Sequence, residues 1–442
     1  MRWQARFRDK FWLVPTLFSV AALALALATT SLDEALELDG LGSEPLGYTG
    51  GADGARAFLS TVAGSMITVA ATAFSITIAI LALTSVQFGP RLIRNFVRDV
   101  SNQAVLGTFL ATFLYCLVVL RTVRGPDEGE FVPYLSIAVA SLLALASLAM
   151  LIYFISHVSR SIQVMNVVAS ISRDLDAAIL ELYPAEGQHV RRDRVDPESE
   201  ALFARDFRHV ASRRSGYIQS IDYGALLGLA QANGIRLRVP RHPGQFIARG
   251  ATIAEAINDD GTWPESHTLG EQIVGAFTIG DDRTAEDDIE YHIDQLVEVG
   301  VRSLSPAIND PFTAMACIDR LGSSLRLLVR RELPSPYHRD ADGALRVVSK
   351  NLTFDGALDA AFNLLRQYGA TSAPVAMRLM ETLAIIGEHT SDPDETGALL
   401  AHARMVEHTA RQRLEEAADV AALEERFGAA IVALETPDQE AL

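Results

Sequence analysis

Cysteine is nearly absent from this chain. Its two, Cys116 and Cys317, fall one in an apolar run and one in a polar region, so no disulfide framework forms. No Cys/His spacing suits zinc. Lysine is as scarce: Lys10 and Lys350 are the only two, and arginine carries the rest of the positive charge, as GC-rich coding would produce. There is no P-loop, no Gly-x-Ser-x-Gly elbow and no dinucleotide fingerprint, so nothing nominates an enzyme or a cofactor. His338-Arg339-Asp340 matches a kinase tripeptide. The Gly-rich loop, strand lysine and Asp-Phe-Gly that would accompany it are missing, so the match is chance. His389 and His408 each sit in Glu-His-Thr, outside any His-Glu-x-x-His, and read as exposed helix histidines.

Positive charge is also in deficit. The 442 residues carry a formal net charge of −17. Residues 1–160 balance their charges, so the whole excess lies beyond them. An acidic region repels nucleic acid and anionic lipid, which disfavours a DNA- or RNA-binding role.

What the chain has is long uncharged runs, all in its first third. They are Phe11 to Thr30, Leu59 to Val86, Ala104 to Leu120 and Pro133 to His157. Each is near or above the roughly 20 residues that cross a bilayer. The first follows Arg2, Arg6, Arg8 and Lys10 and resembles a signal peptide. Its length and the three further runs favour a retained helix. Arginine is concentrated at the N-terminus and after the second run, at Arg91, Arg94 and Arg98. The loop between the first two runs has only Arg56 among six acids. The positive-inside rule then predicts an inner-membrane protein with both termini cytoplasmic. No Asp, Glu, Lys or Arg lies inside these runs. That disfavours a coupled carrier and is compatible with a channel or an anchor.

The second run carries a seam. Thr61, Ser65, Thr68, Thr72 and Ser75 follow at steps of four and three and share one helix face. A neighbouring stripe, Val62, Met66, Val69, Ile76, Ile80 and Leu83, is apolar and suits lipid. The seam is open to two readings. Small and hydroxyl residues let membrane helices pack closely. A row of hydroxyls also lines a permeation path.

Gly89-Pro90 stops the second run, and Arg91, Arg94 and Arg98 alternate with Leu92, Ile93, Phe96 and Val97 like a short helix on the inner leaflet. The hydroxyl-rich run, Val86-Gln87-Phe88-Gly89-Pro90-Arg91, Asn102-Gln103 and the later string Leu304-Ser305-Pro306-Ala307-Ile308-Asn309-Asp310-Pro311-Phe312-Thr313-Ala314 can be taken together. The combination resembles a bacterial family of predicted membrane proteins, domain of unknown function 2254. The resemblance covers most of the chain. It implies a bacterial inner-membrane protein with a cytoplasmic C-terminal region, and it brings no activity and no catalytic residue.

The expected fold is therefore a membrane all-α domain of four transmembrane helices over residues 1–160, followed by a cytosolic α+β region. A helical connector and polar linker occupy 161–215. The connector reads as one helix from Ile155 to Leu182, and 187–199 as polar linker. A small β-rich module spans 216–280, with strands at Tyr217–Asp222, Ile235–Val239, Gln245–Ala248 and Ile273–Ile279 and a helix at Tyr223–Ala232. A helical module spans 281–442.

Two cytosolic clusters are candidate sites. In Asp281 to Asp294, the acids Asp287, Glu290 and Asp294 fall on one helical face and could hold a divalent cation. The same acids also suit a helix start capped by Thr284. In the string from Ser303 to Ala314, Asn309 or Asp310 can cap a helix opened by Pro311. Alternatively Ser303, Ser305, Asn309, Asp310 and Thr313 line a ligand pocket at that helix N-terminus. The leading expectation is a homo-oligomeric, channel-like protein in the lipid bilayer, with the second run facing the axis and an acidic regulatory domain. It needs no cofactor, binds no nucleic acid and takes an ion or small ligand. The rival is a membrane-anchored sensor or scaffold.

Overall fold

The computed structural model describes residues 12–38, 51–88, 100–125, 131–161, 163–183, 207–258, 268–390 and 392–436. The Gly89-Pro90 stop, the inner-leaflet helix at 91–98 and the polar linker at 187–199 lie outside the described residues. The chain divides into two compact units, Met1–Asn166 and Val167–Leu442.

Among the described residues the first unit has four helices: α1 (Leu13–Leu38), α2 (Ala52–Phe88), α3 (Val100–Leu120) and α4 (Tyr134–Ser161). Each is long and apolar enough to cross a membrane. α3 is central and packs against the other three, so its most apolar window is half buried. It is apolar all round because it has protein on most sides. Small residues set the spacing. Ala22 and Ala26 of α1 and Ala52, Ala55 and Ala63 of α2 close on Ala111, Tyr115 and Cys116 of α3. Gly107 of α3 lets α1 cross closely. A Cβ there would stand 3.1 Å from the Phe18 ring and 3.3 Å from the Pro15 backbone.

The hydrogen bonds inside this bundle are few and specific. Thr112 and Ser147 join α3 to α4 at 2.9 Å. Tyr115 Oη meets Thr29 at 2.9 Å and donates to the Ser136 carbonyl at 3.1 Å. α1 runs eight residues beyond Thr30, which brings Asp33 from the expected loop into the packed end of the bundle, 7% exposed. There its carboxylate caps α4 from another helix. It accepts from the Leu135 and Ser136 amides, both at 2.9 Å, and from the Ser136 hydroxyl at 2.6 Å. The first amides of a helix have no partner within it, and an anion suits its positive end. Arg124 lies 3.6 Å from Glu34 at the same end.

In the second unit, α5 (Val164–Leu182) follows a break after Ser161 where one continuous helix was expected. Its buried face is Val168, Ile171, Leu175 and Ile179. The sheet module contains β1 (Arg208–Ala211), β2 (Gly216–Ile221), α6 (Tyr223–Asn233), β3 (Ile235–Val239), β4 (Phe246–Ile247), β5 (Thr252–Asn258), α7 (Leu269–Gly275) and β6 (Phe277–Gly280). The helical module holds α8 (Ile289–Ser303), α9 (Pro311–Val329), α10 (Phe354–Gly369), α11 (Ala373–Gly387), α12 (Pro393–Arg411) and α13 (Ala417–Glu435), interrupted by β7 (Tyr337–Arg339) and β8 (Leu345–Ser349).

Among the described residues the strands form two sheets, in the orders β1-β5-β3-β8-β7 and β4-β2-β6. β3 pairs with β8 in parallel, and the other ladders are antiparallel. The larger sheet thus draws two strands from beyond residue 281, where the apolar spacing read as helical. The expected strand Ile273–Ile279 divides into the end of α7 and β6. Ile218, Leu226, Ile235, Leu237, Ile253 and Val347 form the common core. On α9, Phe312 is 77% exposed, because Pro311 opens the helix and leaves its first turn at the surface.

Replacing Asp33 with Ala leaves two helix-end amides and one hydroxyl buried without a partner. That should cost about 2–3 kcal/mol, read as a lowered midpoint for unfolding in detergent, while Asp33→Asn, which keeps one acceptor, should lose less. Equal midpoints for all three proteins would remove the carboxylate from this role.

Candidate functional site

The acidic stretch and the Pro243-Gly244 turn meet in the second unit. α8 begins four residues later than Thr284 would place it. Its N-cap is Asp288, whose carboxylate accepts from the Tyr291 amide at 3.2 Å. Asp287 therefore precedes the helix and does not share its face with Glu290 and Asp294. The centre of the acids is filled by a guanidinium. Arg283 donates to Asp288 through Nε at 2.5 Å and Nη2 at 2.9 Å, to Asp294 through Nη1 at 2.7 Å, and to Glu290 at 3.4 Å. Burial opposes the Arg283 charge, but the Asp288 hydrogen bond and the three carboxylates outweigh it and raise its pKa. Among the described residues, no group of three or more His, Cys, Asp or Glu is placed to hold a metal ion.

Gly244 is part of this arrangement. Its φ is +90°, and a Cβ would lie 2.1 Å from Asp288 Oδ2 and 2.8 Å from Arg283 Nε. Only glycine provides both the left-handed backbone and the room for the ion pair.

Beside the ion pair lies a cavity of about 280 Å³, near the lower end of ligand-site sizes. Six separate segments line it. The end of α5 contributes Leu182 and Tyr183, and the β2–α6 junction Ile221 and Tyr223. The turn brings His242 and Pro243, and the start of α8 brings Asp287 to Glu290. Pro334 and His338 lie before and in β7, and Asn351 and Leu352 follow β8. Tyr223 and His338 stack with centroids 4.7 Å apart and planes at 13°. His338 Nε2 is 3.2 Å from Ser349 Oγ, which donates to Asn351 Oδ1 at 2.9 Å. His242 Nδ1 faces the Pro243 carbonyl at 2.8 Å, so that nitrogen carries a proton.

The burial of these groups sets their protonation. Burial lowers the His338 pKa and favours its neutral form. It pushes Tyr183 up to about 12, helped by Asp288 and Glu290, and Tyr223 up to about 12, against a Ser349 hydrogen bond. Both phenols keep their protons and act as donors. Glu290 is also raised, first by burial, with His242 pulling it back down. The site therefore offers aromatic faces, proton donors and desolvated carboxylates.

The string from Ser303 to Ala314 spends its polar groups internally. Ser303 is buried and donates to the Gly300 carbonyl at 2.7 Å, while its own carbonyl accepts from the Asp310 amide at 2.8 Å. Asp310 caps α9, accepting from the Thr313 amide at 3.1 Å and hydroxyl at 2.6 Å. Ser305 accepts from the Asn309 amide at 2.8 Å, and Asn309 takes a left-handed φ of 50°. Ser303, Asp310 and Thr313 are brought together; none of the five lines the cavity described above.

The hydroxyl seam of α2 is exposed along its whole length. Thr61, Ser65, Thr68, Thr72 and Ser75 each donate to the carbonyl four residues back, at 2.7–2.9 Å. The opposite face, Leu59, Ala63, Ala70 and Ala73, makes the packing within the chain. Val62, Met66 and Val69, expected at lipid, pack in part on the interior clusters. His408 is exposed as expected, whereas His389 is half-buried.

The family model described as "Predicted membrane protein (DUF2254)" matches residues 8–385. The chain belongs to this family. Two mycobacterial relatives are the uncharacterized proteins Rv1290c of Mycobacterium tuberculosis (strain H37Rv) and Mb1321c of Mycobacterium bovis. Each is 28% identical to the chain over 432 residues, covering 97% of it and 81% of the relative. No solved structure matches the chain.

The Asp310 cap has a clear signature. Hydrogen bonding to Thr313 lowers its pKa, so its contribution is complete above the unfolded carboxylate value of about 4 and is lost as pH falls through the lower folded value. Asp310→Ala should cost about 1 kcal/mol at pH 7, with the gap to the parent protein closing in acid. Thermal or denaturant melts across pH measure it. A gap that stays constant into acid would exclude the charged cap.

Proposed function

We propose that the chain is a bacterial inner-membrane protein with both termini in the cytoplasm, working as a homo-oligomer with the hydroxyl face of α2 turned toward its symmetry axis. In this reading the assembly is channel-like and the acidic second unit regulates it. One observation carries the proposal: the seam lies on the face of α2 opposite the alanines that pack against the rest of the chain. Each hydroxyl has its proton committed to its own helix, but its oxygen retains acceptor capacity. Lipid leaves that capacity unused, whereas water or a second copy uses it. The orientation rests on the arginine asymmetry of the flanking segments. A second reading, a membrane-anchored sensor, is favoured by the cavity beside Arg283.

Single cysteines at Thr68 and Thr72, in a chain with Cys116 and Cys317 replaced by alanine, should cross-link between copies on oxidation in the membrane. A cysteine at Phe74, exposed on α2 but at no three- or four-residue step from the seam, should not. Water-soluble thiol reagents should label positions 68 and 72 if the axis is wet, since thiolates form only where water reaches. Absence of both cross-linking and labelling at 68 and 72 would end the axial placement of α2.

A further inference from the structure

The cavity in the second unit has a composition that selects its ligand by charge. Three carboxylates, Asp287, Asp288 and Glu290, line it beside the imidazoles of His242 and His338. Arg283, which does not itself line the cavity, is shared by Asp288, Glu290 and Asp294. Asp288 is fully engaged, its side chain 2% exposed and held by two guanidinium nitrogens. Glu290 is held less tightly, at 3.4 Å, and Asp287 stands beside it before the helix. The rings of Tyr183 and Tyr223 line the same cavity, with His242, His338 and Asn351 as its other polar groups and apolar side chains between them.

We propose that this cavity binds a small organic cation, a primary or quaternary ammonium, with its charge at Glu290 and Asp287 and its carbon groups against Tyr183 and Tyr223. The proposal rests on the second reading above, that the soluble unit binds a ligand. An ammonium gains from aromatic faces through the negative centre of each ring, and most where water is excluded. It also offsets the cost of keeping the Glu290 carboxylate away from water. An anion would meet the same carboxylates, with the one guanidinium already shared. A bare metal ion would need oxygen ligands converging on one point, and the acids instead converge on Arg283. The volume suits a molecule of a few carbon atoms around one charge.

The test uses the full chain in detergent micelles and calorimetry, with empty micelles as the blank. The probes are choline, propylammonium, the uncharged choline isostere 3,3-dimethylbutan-1-ol and the anion 3,3-dimethylbutyrate. Choline or propylammonium should bind at least tenfold more tightly than the neutral and anionic probes. Glu290→Gln should weaken that binding tenfold or more. Asp287→Asn, at an exposed position where folding is not at stake, should weaken it severalfold. Equal binding of choline and its neutral isostere, or tighter binding of the anion, would overturn the cation assignment while leaving a ligand-binding unit standing. Cation binding that both variants leave unchanged would place it outside this cavity and overturn the proposal. No binding by any probe would overturn both the assignment and the sensor reading.

Discussion

Every polar group inside a membrane bundle has to find its partner within the protein. Apart from Asn102 Oδ1, which is buried without a partner near the start of α3, the first unit meets this constraint by economical means. Hydroxyls bond back to their own helices, Tyr115 links Thr29 to the Ser136 carbonyl, and Asp33 caps α4 across the bundle. Alanines and Gly107 then allow the close approach that replaces the hydrophobic drive available in water. Against this background the outward hydroxyl row of α2 stands apart, since it makes no contact that the single chain needs.

A different rule shapes the second unit. Buried carboxylates require a counter-charge, and one arginine meets three of them. Gly244 makes room for the pair, which ties the Pro243-Gly244 turn to the start of α8. The two parts of the sequence held together there are more than forty residues apart. They leave between them a space walled by tyrosine, histidine and carboxylate. The ion pair is thus both a structural clamp and part of the cavity wall.

The four apolar helices were legible because composition alone marks them, and the hydroxyl seam because its spacing is helical. Strand β3 alternates apolar and polar residues and was legible for the same reason. β5 was not: Ile253, Ala254, Glu255, Ala256 and Ile257 are all buried, so no alternation survives in its sequence. β8 was hidden by its neighbours, since it sits among helices and, apart from short β7, pairs only with β3, a distant parallel partner. The Asp310 cap was visible in Asn-Asp-Pro, where proline fixes the first helical position. Asp33 was misplaced because it lies among loop acids, and only the extra turns of α1 carry it inside. The cavity escaped notice because six segments supply it. The acidic run was conspicuous, yet no local pattern says that it meets the Pro243-Gly244 turn. Arg283 was passed over as one basic residue in an acidic run, although the one arginine among seven acids is the natural counter-charge.

The central claim is that α2 presents its hydroxyl face to other copies of the chain. Native mass spectrometry of the full chain released from lipid nanodiscs tests it most directly, comparing the parent protein with Thr68→Leu/Thr72→Leu. The account predicts one closed oligomer for the parent and its loss or a change of stoichiometry in the variant, since bulky leucines force apposed helices apart. A parent protein that is monomeric in the nanodisc, or an oligomer that the two leucines leave unaltered, would contradict it.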